Sequence, residues 1–437
     1  MLAIVLMPFQ YALTISIGFP LKISEILLVA AIALYVAGPN KRHIGWDFAS
    51  WTVTIMAAVL ALSSVANFAY TGMLAPLTYD RDLRVDLLLY FGYGLFALGA
   101  WAMIRRIDRE KTARAIVASI WACGAAVLLQ FAAALTGSTA MIAALGFRTL
   151  GVTGDVSSLR SGPFLEGQHL GFFAGAALIV AIYRKSWAAV LVALASIVYS
   201  QSTTAYIGLA VGVFVVVAFS LTTRVVVWVG LLASAGVLAT LTFPAVGGTV
   251  GRQLAKLGFT EFAPEYAYAT TSLNLRGVKT QVALDMMWDS PVFGVGPGRF
   301  GAFFPTYRGN YSLAYAGSDA RPIAENAYGH IGAELGVFAL AAFIGLILFT
   351  LVANRRASAL MLILAGYLAV SVSTQSSWTF LPIWVFIGIL CAAPPHKDQE
   401  GSRERPVEVA AKISGRPRES RNWEPAQARF DRLKKEP

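Results

Sequence analysis

The chain alternates long apolar blocks with short polar ones. Inside a block, hydrophobic residues occupy every face of the helix that the length implies, so no polar stripe is left for water and lipid is the fitting solvent. The blocks lie near 2–19, 21–38, 48–69, 86–104, 115–135, 168–183, 187–199, 205–222, 225–243, 327–352, 359–375 and 379–393. A membrane span needs roughly 20 apolar residues, and the pattern predicts about twelve transmembrane helices. The blocks at 2–19, 21–38 and 187–199 are short or interrupted by polar residues. Lys22 and Glu25, at the head of the second, can snorkel to the interface.

The polar connections fix an expected orientation. One set carries Lys41 and Arg42; Arg105, Arg106, Arg109, Lys111 and Arg114; Arg184 and Lys185; Arg224; and Arg355 and Arg356. These loops are short and poor in acids, which places them on the cytoplasmic side. Both termini then fall there too, as an even number of spans requires. The opposite side receives the longer loops, about 70–85, 136–167 and 244–326. The expected fold is therefore an all-α, polytopic integral membrane protein of the bacterial inner membrane, with one large outer (periplasmic) loop. Its parts are membrane helices 1–9 over 1–243, a periplasmic loop domain over 244–326, membrane helices 10–12 over 327–393 and a disordered cytoplasmic tail over 394–437. The loop contains a predicted helix at 276–288, where Val278, Val282 and Met286 recur at four-residue spacing. A turn cluster follows at 291–298.

Composition agrees. Hydrophobic residues make up 57% of the chain and charged residues only 14%, against roughly 25% charged in soluble domains. The mean hydropathy is +0.63. The net charge of +11 does not signal nucleic acid, because the bases sit in short loops without interleaved aromatics. Cys123 and Cys391 lie in apolar runs and point to neither a disulfide framework nor a cysteine metal site. Residues 1–8 lack a basic leader and a small-residue cleavage site, so they read as the start of the first span. In the tail, eight acids offset eleven bases, a poor pattern for acidic lipid.

Ionisable residues at a membrane surface are costly and mark candidate chemistry. Asp80 and Asp82 could hold a divalent metal, but Arg81 and Arg84 compete for them. A salt-bridge network, or Arg84 as an anchor for an anionic substrate, is favoured. Arg160, Glu166 and His169 lead into the sixth span, either as a helix cap or as a site. Ser200, Ser202, Thr203 and Thr204 can cap the next helix or bind phosphate or sugar. The fullest constellation runs from Arg276 through Gly294, Gly296, Gly298, Arg299 and Phe300 to Glu325, Asn326, Tyr328, His330 and Glu334. No strand precedes the glycines, so they form a turn and not a nucleotide loop. His330 and Glu334 share a helix face, and with His169 would make a zinc site, but that pair alone is a weak signal and no metal is expected.

This last stretch resembles the O-antigen ligase and polymerase superfamily. The pattern is carried by Arg276, Pro291, Gly294, Gly296, Gly298, Phe300, Asn326, Tyr328, Glu334 and Gly336, with Ser202-Thr203-Thr204-Ala205 where the family has Ser-Arg-Gly-Ala. Span count and the position of the long loop fit as well. Two positions depart: the family's His before the Asn is Glu325, and its Arg after the Ser is Thr203. The departures favour a polymerase of O-antigen or exopolysaccharide repeat units over a ligase that attaches glycan to lipid A core.

The resemblance implies transfer of a glycan from a polyprenyl diphosphate to an acceptor hydroxyl at the periplasmic face, with no cofactor and no metal. Its partners would be the polyprenyl-diphosphate-linked oligosaccharide, the glycan acceptor, membrane lipids and assembly proteins such as a chain-length regulator, but no nucleic acid. Glu325, in place of the His, is the expected base. Arg276 is its expected catalytic partner at the diphosphate, with Arg160, Arg84, Arg299, Arg308 and Arg321 as further anion contacts. Glu166, His169, Asn326, Tyr328 and His330 complete the expected substrate surface. Phe303, Phe304, Tyr307, Tyr311 and Tyr315 can stack on sugar rings or pack the loop. A rival class, a lipid-linked glycan flippase, predicts ionisable residues near mid-membrane, whereas here they gather at the outer ends of the spans.

Overall fold

The computed structural model describes residues 1–16, 20–38, 46–69, 82–149, 159–220, 240–264, 268–308 and 322–392, with scattered positions between 227 and 238. Asp80, Arg81, Tyr311, Tyr315, Arg321, most of the ninth expected span and the 394–437 tail lie outside the described residues. Met1–Pro394 forms one compact unit.

The protein is mostly helical. In chain order the helices are α1 (Leu2–Val5), α2 (Ile23–Ala37), α3 (Phe48–Phe68), α4 (Leu83–Arg106), α5 (Arg109–Thr136), α6 (Ala140–Ala144), α7 (Gly167–Tyr183), α8 (Trp187–Ser200) and α9 (Thr203–Ser220). After these come α10 (Pro244–Lys256), α11 (Tyr268–Asp289), α12 (Phe300–Tyr307), α13 (Ala327–Leu335), α14 (Val337–Asn354), α15 (Ala359–Ser371) and α16 (Leu381–Cys391). Local chemistry sets several starts. The carboxylates of Asp47, Asp82 and Asp108 accept backbone N–H groups at the heads of α3, α4 and α5.

Four helices, α3, α4, α5 and α14, are long and apolar enough to cross a membrane, and α2, α7, α8, α9, α15 and α16 are shorter apolar helices. Among the described residues these make ten apolar helices, and most of the expected span near 225–243 lies outside those residues. The block near 2–19 is the clearest correction. It holds a four-residue helix and then an antiparallel pair, β1 (Thr14–Ser16) on β2 (Pro20–Lys22), with Thr14 opposite Lys22. Pro8 and Pro20 lack the N–H that a continuous helix needs. The backbone N–H groups of Tyr11 and Ala12 instead reach Pro163 O at 3.3 Å each. The block near 327–352 also divides, at Gly336, into α13 and α14.

The layering is that of a protein solvated by lipid. In α7 every residue from His169 to Ala181 is buried, and α16 is buried from Leu381 to Leu390. Around them, α3, α5, α8 and α9 turn large apolar side chains outward: Val65 is 76% exposed, Leu135 72%, Leu191 68% and Phe214 68%. Each would cost roughly 1.5–3 kcal/mol in water relative to burial. Lipid removes that cost.

Close packing at the centre depends on small residues. A Cβ on Gly208 would lie 2.3 Å from Ser371 Oγ, and one on Gly212 2.5 Å from Ile363 O. These two glycines, four apart on α9, let α15 approach backbone to backbone. Tyr367 on α15 then donates its hydroxyl to Phe172 O at 2.9 Å, tying α15 to α7. Gly212→Val should therefore cost about 1–3 kcal/mol through overpacking, read as a lower melting temperature in detergent. Gly92→Ala, where a Cβ would meet nothing within 4 Å, should leave melting unchanged or raise it.

Candidate functional site

The break at Gly336 positions the site. Gly336 has φ of 83°, so α13 ends and its last carbonyls need donors. The 291–298 turn supplies them: Val295 N reaches Ala333 O at 2.8 Å and Gly296 N reaches Glu334 O at 3.1 Å. Gly294 shows why the turn needs glycine. Its φ is 60°, and a Cβ there would lie 2.3 Å from the backbone carbon of Glu334. The Glu334 side chain is 1% exposed and completes the clamp. It pairs with His330 Nε2 at 2.9 Å and accepts from Trp378 Nε1 at 3.0 Å and from Phe300 N at 3.3 Å. The glycine run is thus the turn that the sequence indicates, and it seals a helix end.

Two segments leave this clamp and meet again beside the start of α7. α11 runs into the turn and carries Arg276 and Lys279 on one face, three residues apart. Glu325 precedes α13, whose N-cap Asn326 accepts from Tyr328 N at 3.1 Å and Gly329 N at 3.4 Å. Arg276 Nε lies 3.0 Å from one oxygen of Glu325, and Lys279 Nζ donates to the other at 2.6 Å. Lys279 is almost buried, at 5% side-chain exposure, while Arg276 is open at 36%. Arg276 Nη2 also donates to Gln168 on α7 at 2.7 Å. Glu325 has φ of 53°, in the left-handed region, which costs a residue with a Cβ roughly 1–3 kcal/mol and recurs at functional sites.

Further groups line the same end of the bundle. Arg160 packs on the head of α7, where a Cβ on Gly167 would lie 3.1 Å from Arg160 Cγ and 2.6 Å from Ser200 O. Glu166 holds the N-cap position of α7 without a side-chain capping bond. Burial pushes its carboxyl above the usual carboxylate range, and the Glu325 charge adds to that, against Arg276, Arg148 and Lys279. On α10, Lys256 donates to Gln201 O at 2.9 Å, and Gln253 accepts from Thr203 Oγ1 at 2.6 Å. Burial lowers the Lys256 ammonium to about 8, helped by Arg160, Arg252 and Arg276 nearby. His169 pairs with Ser376 Oγ at 2.8 Å.

The structure thus brings together Arg276, Glu325, Arg160, Glu166 and the capping residue Asn326. It places other expected contacts elsewhere. Arg299 is fully buried and donates to Asn67 O at 2.8 Å and Leu83 O at 3.3 Å, a role internal to the fold. His330 belongs to the Glu334 clamp and His169 pairs with Ser376, so the two imidazoles have separate partners. Tyr328 donates to Ala369 O at 2.8 Å and packs on Phe343. Arg84 is exposed and stacks over Phe68. Arg308 follows α12 as its C-cap. Sequence reasoning left Lys279, Lys256, Gln168 and Gln253 out of the site. The available signal was spacing: Lys279 is three residues from Arg276, and Lys256 three from Gln253.

Residues 187–344 match the family model described as O-Antigen ligase. The match runs from α8 through the 291–298 turn and α13 into α14, and so takes in Arg276, Lys279 and Glu325. No curated protein matches the chain. With the apolar helices, the match supports a multi-pass membrane glycosyltransferase of the ligase or polymerase type.

The clamp makes a stability prediction. Glu334→Ala leaves a buried imidazole and two buried N–H donors without their acceptor. It should destabilise by about 3–5 kcal/mol, measured as loss of folded protein on heating in detergent. Trp378→Phe removes a single donor and should cost less, about 1–3 kcal/mol.

Proposed function

We propose, for a chain whose residues 187–344 match the O-antigen ligase family model, that it elongates polysaccharide by moving a polyprenyl-diphosphate-linked glycan onto an acceptor hydroxyl at the outer face of the inner membrane. The observation that carries this reading is the convergence of Arg276 and Lys279 on the carboxylate of Glu325, at the head of α7 and within the matched stretch. A diphosphate leaving group needs cations fixed in advance where its charge develops. Arg276 offers a planar two-donor fork and Lys279 a nearly buried point charge. Arg160 and Lys256 extend the positive surface. Lys256 also stands one turn after Gln253, the partner of Thr203, and so supplies a cation beside the position where the resemblance expects Arg.

In the reaction, the acceptor oxygen attacks the anomeric carbon and the bond from that carbon to the diphosphate oxygen breaks. The polyprenyl diphosphate departs with the bonding electrons, and the hydroxyl proton passes to a carboxylate. Glu325 is that carboxylate in the primary reading. In the resting arrangement its oxygens are held by Arg276 and Lys279. An incoming diphosphate carries more charge and competes for the same two cations. Once it takes them, Glu325 is released beside the acceptor. A second reading gives the proton to Glu166, because burial raises that carboxyl above the usual carboxylate range and it has no capping bond. The departures at Glu325 and Thr203 favour polymerisation over ligation.

Surface glycan sized on a gel tests the activity. A strain lacking the gene should carry single repeat units on the lipid core if the protein is a polymerase. Bare core, with long chains held on the polyprenyl carrier, would instead make it a ligase. Complementation with Glu325→Gln, expression checked, should fail to restore long chains, with elongation in membranes down about 10²–10⁴-fold, while Glu166→Gln restores them. The reverse result moves the base to Glu166. The pH profile gives an independent check on Lys256. Its ammonium is charged below about 8, so donor binding should weaken as pH rises through that value. Lys256→Arg, which keeps its charge, should flatten the alkaline limb in a KM-against-pH assay.

A further inference from the structure

The far end of the bundle, away from the charged cluster, carries a cavity of about 260 Å³. Arg355, Arg356 and Ser358, in the α14–α15 connection, form its polar wall, and Val216 and Phe219 of α9 with Leu362 of α15 form its apolar wall. This end is reached by following α9 and α14 from the site to their C-termini.

The two arginines differ from Arg105, Arg109 and Arg184 at that end. Arg105 is paired with Asp47 and bonded to Ser50. Arg184 is paired with Glu110, and Arg109 donates to Ala392 O at 2.6 Å and Leu390 O at 3.2 Å. Among the described residues neither Arg355 nor Arg356 has an acidic partner, and both are exposed. Ser358 is the N-cap of α15 and makes no side-chain capping bond, which leaves that helix start open to an acceptor. Phe219 is itself 54% exposed on the lipid-facing side. Two guanidiniums, a free hydroxyl and a helix start suit a phosphate. The adjoining apolar wall suits an acyl chain.

We infer that this cavity binds the headgroup of an anionic phospholipid of the surrounding bilayer, with Arg355 and Arg356 on the phosphate and Val216, Phe219 and Leu362 along the first methylenes of an acyl chain. The site is separate from glycan transfer. It ties the α14–α15 turn and the end of α9 to the anionic leaflet, where each base near the surface contributes on the order of 1 kcal/mol.

Thermal unfolding of the purified full-length protein in detergent, with native mass spectrometry of bound lipid, tests this. Phosphatidylglycerol should raise the melting temperature and stay bound, while phosphatidylcholine, inorganic phosphate and glycerol phosphate should not match it. The double variant Arg355→Gln/Arg356→Gln should lose affinity for phosphatidylglycerol by about tenfold or more, with its melting temperature in lipid-free detergent unchanged. Arg355→Lys/Arg356→Lys should retain most of the binding, which separates lost charge from misfolding. Arg114→Ala, at an exposed base of the same end, should behave as wild type. Undiminished binding by the Gln pair overturns the site. So does an equal effect of phosphatidylcholine, which would make the cavity merely apolar, or of free phosphate, which would make it an adventitious anion site only.

Discussion

A helix that ends inside a membrane protein leaves carbonyls that lipid cannot satisfy, and the end of α13 at Gly336 is the point on which the rest of this structure depends. The 291–298 turn meets those carbonyls through the N–H groups of Val295 and Gly296. Glu334, buried two residues before the break, is made tolerable there by His330, Trp378 and the Phe300 N–H. The clamp fixes α11 through the turn that follows it, and fixes Glu325 through the helix that follows it. The two sides of the charged cluster are therefore held by one piece of backbone chemistry, which is how residues 46 apart in sequence reach ion-pair distance.

What the clamp holds is a site with its own internal anion. Arg276 and Lys279 face each other across Glu325, whose left-handed backbone is strained for a residue with a Cβ. In the proposed function that carboxylate keeps two cations in place before the donor arrives, so that little reorganisation is needed when charge develops on the departing diphosphate. The same exchange frees the carboxylate only when a donor is bound. Lys256, held on α10 beside Gln201 and Thr203, widens the positive surface toward the second departure from the family pattern.

Much of this was legible in the sequence, because the strongest signals were local. Most apolar blocks became helices within a few residues of their expected bounds, although the capping roles of Asp47, Asp82 and Asp108 went unread. The glycines at 294, 296 and 298 read as a turn and are one. Hydropathy misled where apolar residues do not form one helix. Residues 2–19 are apolar enough for a span, yet prolines and the bonds of Tyr11 and Ala12 to Pro163 draw them into a short helix and a hairpin. The break at Gly336 is hidden for the opposite reason, since apolar residues continue on both sides. At the candidate site, polarity in an apolar stretch marked the residues but not what each one contacts. Arg276 and Glu325 converge, whereas Arg299 and His330 serve the interior, because only tertiary structure decides which buried polar group is already satisfied. Lys279 was passed over although its spacing from Arg276 puts both on one helical face. The Gly208–Gly212 spacing was equally visible, and its meaning depends on which helix approaches.

Binding of a polyprenyl diphosphate without its glycan to purified protein in detergent tests the central claim most directly, since it asks whether Glu325 holds the place of the donor's charge. The account predicts that Arg276→Ala/Lys279→Ala weakens binding by about tenfold or more, and that Glu325→Gln, which removes the competing anion, binds at least as tightly as wild type. Loss of binding in Glu325→Gln to the same extent as in the alanine pair, or wild-type binding by the alanine pair, would contradict it.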